Sequence, residues 1–226
     1  HPVDSDLLII NKSNKVISVS SYPHSEPEKL ENLASRALFI SEKKSLSENF
    51  KPNGIVDLSK DLITFLIQKK LNVYAYRTSE YIKDMGTPKR LYKVENNISS
   101  GLVKSLKKQT PKTAIFLDRD GTINKDVNHL SSQEQFVLLD GVAEAISQIN
   151  AAGILAVIVT NQPVIARGEL TESELKIIHN KMGSLLGRHG AYIDRLYYCP
   201  HHTDIGFAGE VKELKFHCDC RKPRTG

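Results

Sequence analysis

The chain has 226 residues, with 31 Lys and Arg against 26 Asp and Glu, a formal charge of +5, 40% hydrophobic and 25% charged residues. That composition can bury a core and excludes an intrinsically disordered chain, and no apolar run is long enough to span a bilayer. The basic excess favours anionic ligands, but the Lys residues are scattered and Trp is absent, so neither a nucleic-acid stacking surface nor a membrane partner is expected.

In chain order, residues 1–19 read as extended, with Leu7–Ile10 and Val16–Val19 as strands paired around a turn at Asn11–Asn14. Tyr22–Glu31 is a polar loop with two prolines, and Ala37–Ile40 is a short strand candidate. Asp57 caps an amphipathic helix running to Lys70, with Leu58, Leu62, Phe65 and Leu66 on its apolar face. Asn72–Arg77 alternates as a strand does, and Thr87-Pro88 opens another helix with a capping threonine. Ser99–Lys112 finishes that helix and becomes a basic, Pro-containing connection, so the expected domains are 1–107 and 113–226 with 108–112 as linker.

Within the first region, Glu80–Leu91 (EYIKDMGTPKRL) resembles the DxGTP-type segment late in the catalytic domain of sugar-phosphate nucleotidyltransferases. Residues 1–6 (HPVDSD) and 32–40 fit the same family, which often has a glycine near Ala37. The resemblance implies that Asp84 helps hold a divalent metal near phosphates. The family's glycine-rich GxGTR-type loop occurs nowhere in the sequence, and with it goes the cradle of backbone N–H groups that grips phosphate. Residues 1–107 are therefore expected to be the C-terminal part of an α/β nucleotidyltransferase-like domain, inactive by itself.

The apolar run Thr113–Leu117 reads as a buried strand and leads into Phe116–Asn124, FLDRDGTIN. Acids at the end of such a run lie at the carboxyl edge of a sheet, where open α/β folds bind ligands. Alternation in an extended segment lets Asp118 and Asp120 face one cavity. Paired carboxylates suit nucleophilic and acid/base work or a hard divalent cation, and Gly121 allows the tight turn that follows. Asp126–Ser132 is a loop beside this site. Asp140 is expected to cap a helix carrying Val142, Ala145, Ile146 and Ile149, ended by Gly153. Ile154–Val159 reads as a fully buried parallel strand ending at Thr160-Asn161-Gln162. Thr171 and Glu174 form a capping box for a helix whose face is Leu175, Ile178, Met182 and Leu185, and Tyr192–Tyr198 is a last strand. Strand–helix alternation of this kind argues for a parallel α/β sheet.

All three cysteines lie at Cys199, Cys218 and Cys220. An odd, clustered set argues against a secreted disulfide framework and for metal chemistry in a reducing compartment, with the cytoplasm as the expected location. Cys199-x-His201 and Cys218-x-Cys220 offer three sulfurs and one imidazole, a set that suits a closed, structural tetrahedral zinc, with His202 and His217 as competing ligands.

FLDRDGT resembles the first motif, DxDGT, of the haloacid dehalogenase-like (HAD) phosphatases. Thr160 matches their second motif and Lys222 their third. The segment Thr160–Gly168, TNQPVIARG, resembles TNQxxIARG of the subfamily that dephosphorylates heptose bisphosphate and histidinol phosphate. That subfamily often has Ser-Gly where this chain has Pro163-Val164, a departure that stiffens the loop and alters the pocket. The resemblance covers about half the chain. It implies a HAD-like Rossmannoid sheet with a zinc-binding loop, Asp118 as nucleophile and Mg²⁺ ligand, and Asp120 as acid/base with its carbonyl on Mg²⁺. Asn124, Thr160, Asn161, Gln162, Arg167, Arg221 and Lys222 would contact phosphate or substrate, and His201 would complete the zinc set. The family's fourth, acidic motif is not met before Gly226, so the chain is expected to be an interior piece of a longer two-domain protein. The function expected from the resemblance is Mg²⁺-dependent removal of one phosphate from a sugar bisphosphate, within a bifunctional enzyme whose complete form would also use a nucleoside triphosphate. Histidinol-phosphate hydrolysis, nucleic-acid 3′-phosphatase activity and a non-catalytic zinc-stapled scaffold are the competing readings.

Overall fold

A computed structural model describes residues 5–36, 38–44, 46 and 54–226. The chain divides into two compact units, His1–Val103 and Lys104–Gly226. Residues 1–4 of the expected extended start, and Ala37, the position matched to the nucleotidyltransferase glycine, lie outside the described residues. No described helix is long and apolar enough to cross a membrane.

In the first unit, β1 (Leu7–Ile10) and β2 (Val16–Ser20) form an antiparallel hairpin. Its turn is fastened by Asn11, whose Oδ1 accepts from Ser13 N and Lys15 N at 3.0 Å each. The expected strand at Asn72–Arg77 is looser. Val73 and Ala75 run beside the hairpin through the bonds Val16 N–H to Val73 O and Ala75 N–H to Asn14 O. Leu38, Phe39 and Ile40 form no strand, Ile40 is wholly exposed, and no strand among the described residues takes up their backbone groups.

The Asp57 cap is formed, its carboxylate accepting from Ser59 N and Lys60 N. However, the first turn, Leu58–Leu62, is π-helical before α1 (Ile63–Gln68), with Leu62 N–H bonding Asp57 O. The wider turn rotates the phase of the helix. Leu62 is buried as expected and Phe65 and Leu66 are half-buried, but Ile63 is also buried and Ile67 packs on the hairpin, while Leu58, expected on the same face, is 53% exposed. Helix α2 (Pro88–Ser99) begins as read, with Thr87 Oγ1 accepting from Arg90 N. A short α3 (Leu102–Ser105) follows.

The second unit carries a three-stranded parallel sheet in the order β3 (Ala114–Leu117), β4 (Leu155–Asn161), β5 (Arg195–Cys199). Parallel strands need crossovers, and helices supply them. The connection from β3 to β4 contains α4 (Val142–Ala151). That from β4 to β5 contains α5 (Pro163–Ala166) and the long α6 (Glu172–Arg188). Gly141, at φ 78°, precedes α4 in place of the expected Asp140 cap, since only the left-handed residue turns the chain into the helix there. The capping box of α6 is present in both directions, Glu174 N to Thr171 Oγ1 and Thr171 N to Glu174 Oε2.

Leu175, Ile178, Met182 and Leu186 of α6 meet Ile146 of α4 and Ala156 and Ile158 of β4 in one core. Only one face of the sheet shares that core. Phe116 on the edge strand β3 is 70% exposed and the other three residues of that strand are only half-buried, so the expectation of a buried first strand does not hold. Val164 is buried in the same core, so the Pro163-Val164 pair shapes the start of a helix and its valine does not line a pocket.

After α5 the chain crosses itself at Gly168, where φ is 75°. A Cβ there would lie 1.9 Å from the Gly209 carbonyl oxygen. Gly168→Ala is expected to destabilise the second unit by about 2–4 kcal/mol through overpacking and left-handed strain, read as a lowered thermal midpoint. An unchanged midpoint would show that the crossing gives way freely.

Candidate active site and metal centre

The register of β3 on β4 pairs Leu117 with Ile158, so Asp118 leaves the sheet beside the last residues of β4. After Asp118 the chain turns at once. Ile123 N and Asn124 N both bond the Arg119 carbonyl, and Gly121 N bonds Asn124 O, with Gly121 at φ 74°. The two acids differ in their surroundings. Asp118 is nearly half exposed, and its Oδ2 accepts from Lys222 Nζ at 2.6 Å across 104 positions of sequence. Asp120 is more enclosed. It accepts from Arg119 at 2.8–3.1 Å, from Asn124 Nδ2 at 3.0 Å and from Gln162 Nε2 at 2.8 Å. Burial pulls the Asp120 carboxyl upward, but the charge of Arg119 and these hydrogen bonds outweigh it and hold the group below the usual carboxylate range.

Gln162 Nε2 also donates to Thr160 Oγ1 at 2.9 Å, which leaves the threonine hydrogen available to donate. Both side chains are buried. Asn161 grips the backbone of Lys222, accepting from Lys222 N at 2.9 Å and donating to Lys222 O at 3.3 Å. Asn124 is fully buried and its amide donates to Asp120 and to Lys125 O. Asn124, Asn161 and Gln162, read from sequence as substrate contacts, are hydrogen-bonded to Asp120 or to the backbone of Lys222. Arg221 Nη1 bonds the His201 carbonyl. Arg167 Nη1 bonds His129 Nε2 at 2.7 Å, and its guanidinium stacks on Phe207 with the carbon 4.8 Å from the ring centre. The described contacts of both arginines lie on loops and not on the acid pair. In the first unit, Asp84 pairs with Arg90 and accepts from Gly86 N at 3.0 Å, the contacts of an acid closing a turn ahead of α2.

Two residues escaped the sequence reading. Arg119 stood there only as the spacer between two acids, yet it is fully buried. Its Nη1 approaches Nε2 of His179 on α6 at 3.4 Å. Burial, with the charge of Arg119 beside it, pushes His179 down to about 3, so it is neutral at ordinary pH. A lone arginine between two strand-end acids was the available signal, because a charge next to a core strand must find a partner.

Cys199, His201, Cys218 and Cys220 converge, their ligand atoms all within 4.8 Å of one another. The sulfurs lie 3.3–3.4 Å apart, and His201 Nδ1 is 3.6 Å from Cys199 Sγ and 3.2 Å from Cys220 Sγ. Tetrahedral zinc takes four ligands of this kind, so the donor set fits that ion in number and kind. His202 is engaged elsewhere, with Nδ1 accepting from Asp204 N and Nε2 3.5 Å from Asp204, and His217 is not among the four. As a free thiol, Cys199 is pushed up to about 12 by burial and by the neighbouring thiols.

The second unit is thus an α/β domain with an acid pair, a lysine and a threonine at the carboxyl edge of a parallel sheet, beside a Cys3His metal-type loop. No protein-family model matches the chain. It is 42% identical over 113 residues to D-glycero-beta-D-manno-heptose-1,7-bisphosphate 7-phosphatase of Escherichia coli K12, covering 50% of this chain and 57% of that protein. To the protein of the same name from Pasteurella multocida it is 45% identical over 115 residues, covering 51% and 60%. The chain therefore spans somewhat more than half the length of these relatives. Among solved structures, D,D-heptose 1,7-bisphosphate phosphatase from B. bronchiseptica, complexed with magnesium and phosphate, matches with a TM-score of 0.42 at 35% identity, over 49% of this chain and 56% of that one.

Proposed function

We propose that the second unit is the phosphatase half of a sugar-phosphate enzyme that removes the 7-phosphate from D-glycero-D-manno-heptose 1,7-bisphosphate. The observation that carries this reading is the Lys222–Asp118 contact of 2.6 Å beside the Asp120–Gln162–Thr160 chain of hydrogen bonds. A half-exposed carboxylate next to an ammonium, with a second carboxylate two residues on, is what a two-step phosphoryl transfer needs. The names of the relatives support the substrate.

In the first step a carboxylate oxygen of Asp118 bonds to phosphorus as the sugar oxygen leaves, and Asp120, whose resting carboxylate must first take up a proton, passes that proton to the departing oxygen. In the second, Asp120 takes a proton from water, whose oxygen attacks phosphorus and releases inorganic phosphate and the Asp118 carboxylate. Lys222 and the Thr160 hydroxyl offset charge on the transferred group. The Asp118 carboxylate and the Asp120 carbonyl are hard oxygen donors of the kind that hold Mg²⁺, which would supply further charge neutralisation there. The Cys3His set would hold zinc and keep the segment leading to Lys222 in shape. We further propose that the first unit is the later part of a nucleotidyltransferase-like domain, so that the complete protein would also bind a nucleoside triphosphate and convert the remaining sugar 1-phosphate to a nucleotide sugar in the cytoplasm.

The test is phosphate release from heptose 1,7-bisphosphate and from histidinol phosphate in parallel, with Mg²⁺ and with Asp118→Asn as blank. Preference for the bisphosphate is the expected result. Preference for histidinol phosphate would move the substrate, and release no faster than the blank from either would overturn the phosphatase reading. In the same assay Asn161→Ala is expected to lower kcat roughly tenfold, the effect of losing hydrogen bonds of about 1 kcal/mol each that steady Lys222. Unaltered kcat would mean that Lys222 is held without Asn161.

A further inference from the structure

Alternation alone would send Arg119 away from both acids. The turn at residues 121–124 instead folds its guanidinium onto Asp120. Five contacts of 2.8–3.1 Å then reach that carboxylate. Oδ1 receives Arg119 Nε, Arg119 Nη2 and Asn124 Nδ2, and Oδ2 receives Arg119 Nη2 and Gln162 Nε2. Oδ2 is the less saturated oxygen. On its far side the guanidinium meets His179. A guanidinium donates only, so His179 accepts on Nε2 and carries its own proton on Nδ1. Burying a guanidinium completely is unfavourable unless every donor is matched. Here the matched partner belongs to the acid pair, and the backing residue comes from α6.

We infer that Arg119, steadied by His179, is the positioning residue for Asp120, fixing its carboxyl so that Oδ2 addresses the leaving-group oxygen. The inference rests on the phosphatase reading above. A planar two-point grip sets both the position and the rotation of a carboxylate, which a single-point contact cannot do. The consequence is specific to proton transfer. A sugar alkoxide cannot leave without a proton, whereas p-nitrophenolate leaves readily without one.

The experiment compares kcat/KM for heptose 1,7-bisphosphate and for p-nitrophenyl phosphate, which for each probe reports the steps up to the departure of the alcohol or phenol. The complete chain is used with Mg²⁺, in the wild type and in Arg119→Met, Arg119→Lys, His179→Leu and His179→Gln, with Asp118→Asn as blank. Arg119→Met is expected to lose about 100-fold or more on the sugar substrate but only about threefold on the aryl phosphate, the gap being the usual size of acid catalysis. Arg119→Lys should lie between. His179→Leu should repeat the pattern in smaller measure, and His179→Gln, which keeps an acceptor near the Nε2 position, should restore activity. Should Arg119→Met fail to fold by circular dichroism, Arg119→Lys and the His179 pair decide the matter by the same ratio. Equal losses on both probes, or none, would overturn the positioning role while leaving the phosphatase reading intact. A wild type no faster than the Asp118→Asn blank would overturn both.

Discussion

Asp118→Asn should yield a folded protein that releases phosphate no faster than the background. The substitution keeps the shape of the side chain and replaces the attacking carboxylate by an amide, which has no anionic oxygen to bond to phosphorus. A loss of at least about 10⁴-fold is expected, since the other carboxylate at this edge, Asp120, is engaged by five hydrogen bonds. Stability should change little. The Lys222–Asp118 pair is 32% and 46% exposed at its two side chains, and pairs that open to water contribute about 1 kcal/mol or less. The thermal midpoint should therefore stay within a few degrees of the wild type. Residual activity within a factor of about ten of the wild type would exclude Asp118 as the nucleophile.

Cys218→Ser should lose bound metal and, with it, most of the activity. Between Cys199 and the end of the chain His202 is the only buried residue among those described, so the segment has almost no core of its own. Its shape must come from the four ligands, together with backbone bonds such as His202 N–H to Leu214 O and Val211 N–H to Ala166 O. Structural zinc sites of this kind contribute on the order of 10 kcal/mol to the segments they close, and a hydroxyl is a poor replacement for a thiolate. Lys222 lies two residues beyond Cys220, so loosening the loop withdraws the ammonium from Asp118. Metal analysis should find less than one zinc per chain, limited proteolysis should cut within 200–222, and kcat should fall about 100-fold, the scale of one lost transition-state charge contact. Helices α4 and α6 should persist, because their core contains none of the loop residues apart from Leu214 at its margin. Stoichiometric zinc at unchanged affinity would refute this ligand set.

The two effects have one physical root. Lys222 reaches Asp118 from a loop in which Cys199, His201, Cys218 and Cys220 converge on one side and which Asn161 grips on the other. The Asp118 carboxylate is supplied by a strand end, and its counter-charge by a loop with almost no core of its own.

Local chemistry determined a good part of this protein in advance. Short apolar runs ending in acids or Thr-Asn announced β3, β4 and the edge where they end, because burial periodicity and strand termini are properties of a few consecutive residues. The Thr171–Glu174 capping box and the Thr87 cap were readable for the same reason, and the four zinc-type ligands were narrowed to within one histidine by donor chemistry alone. What only the tertiary structure decided is whatever depends on a distant partner or on the rotation of an element. The resemblance favours His201 over His202 and His217, and the fold sets that imidazole among the three sulfurs, while a π-helical turn after Asp57 leaves Leu58 exposed and keeps Leu62 buried. The exposure of Phe116 depends on which sheet face the helices cover. Above all, Arg119 looked like a spacer in a two-residue pattern, and only the turn after Asp118 and a histidine sixty positions away make it a buried partner of Asp120. Side-chain type and spacing are local quantities, whereas the direction of a buried charge is set by whatever the folded chain brings next to it.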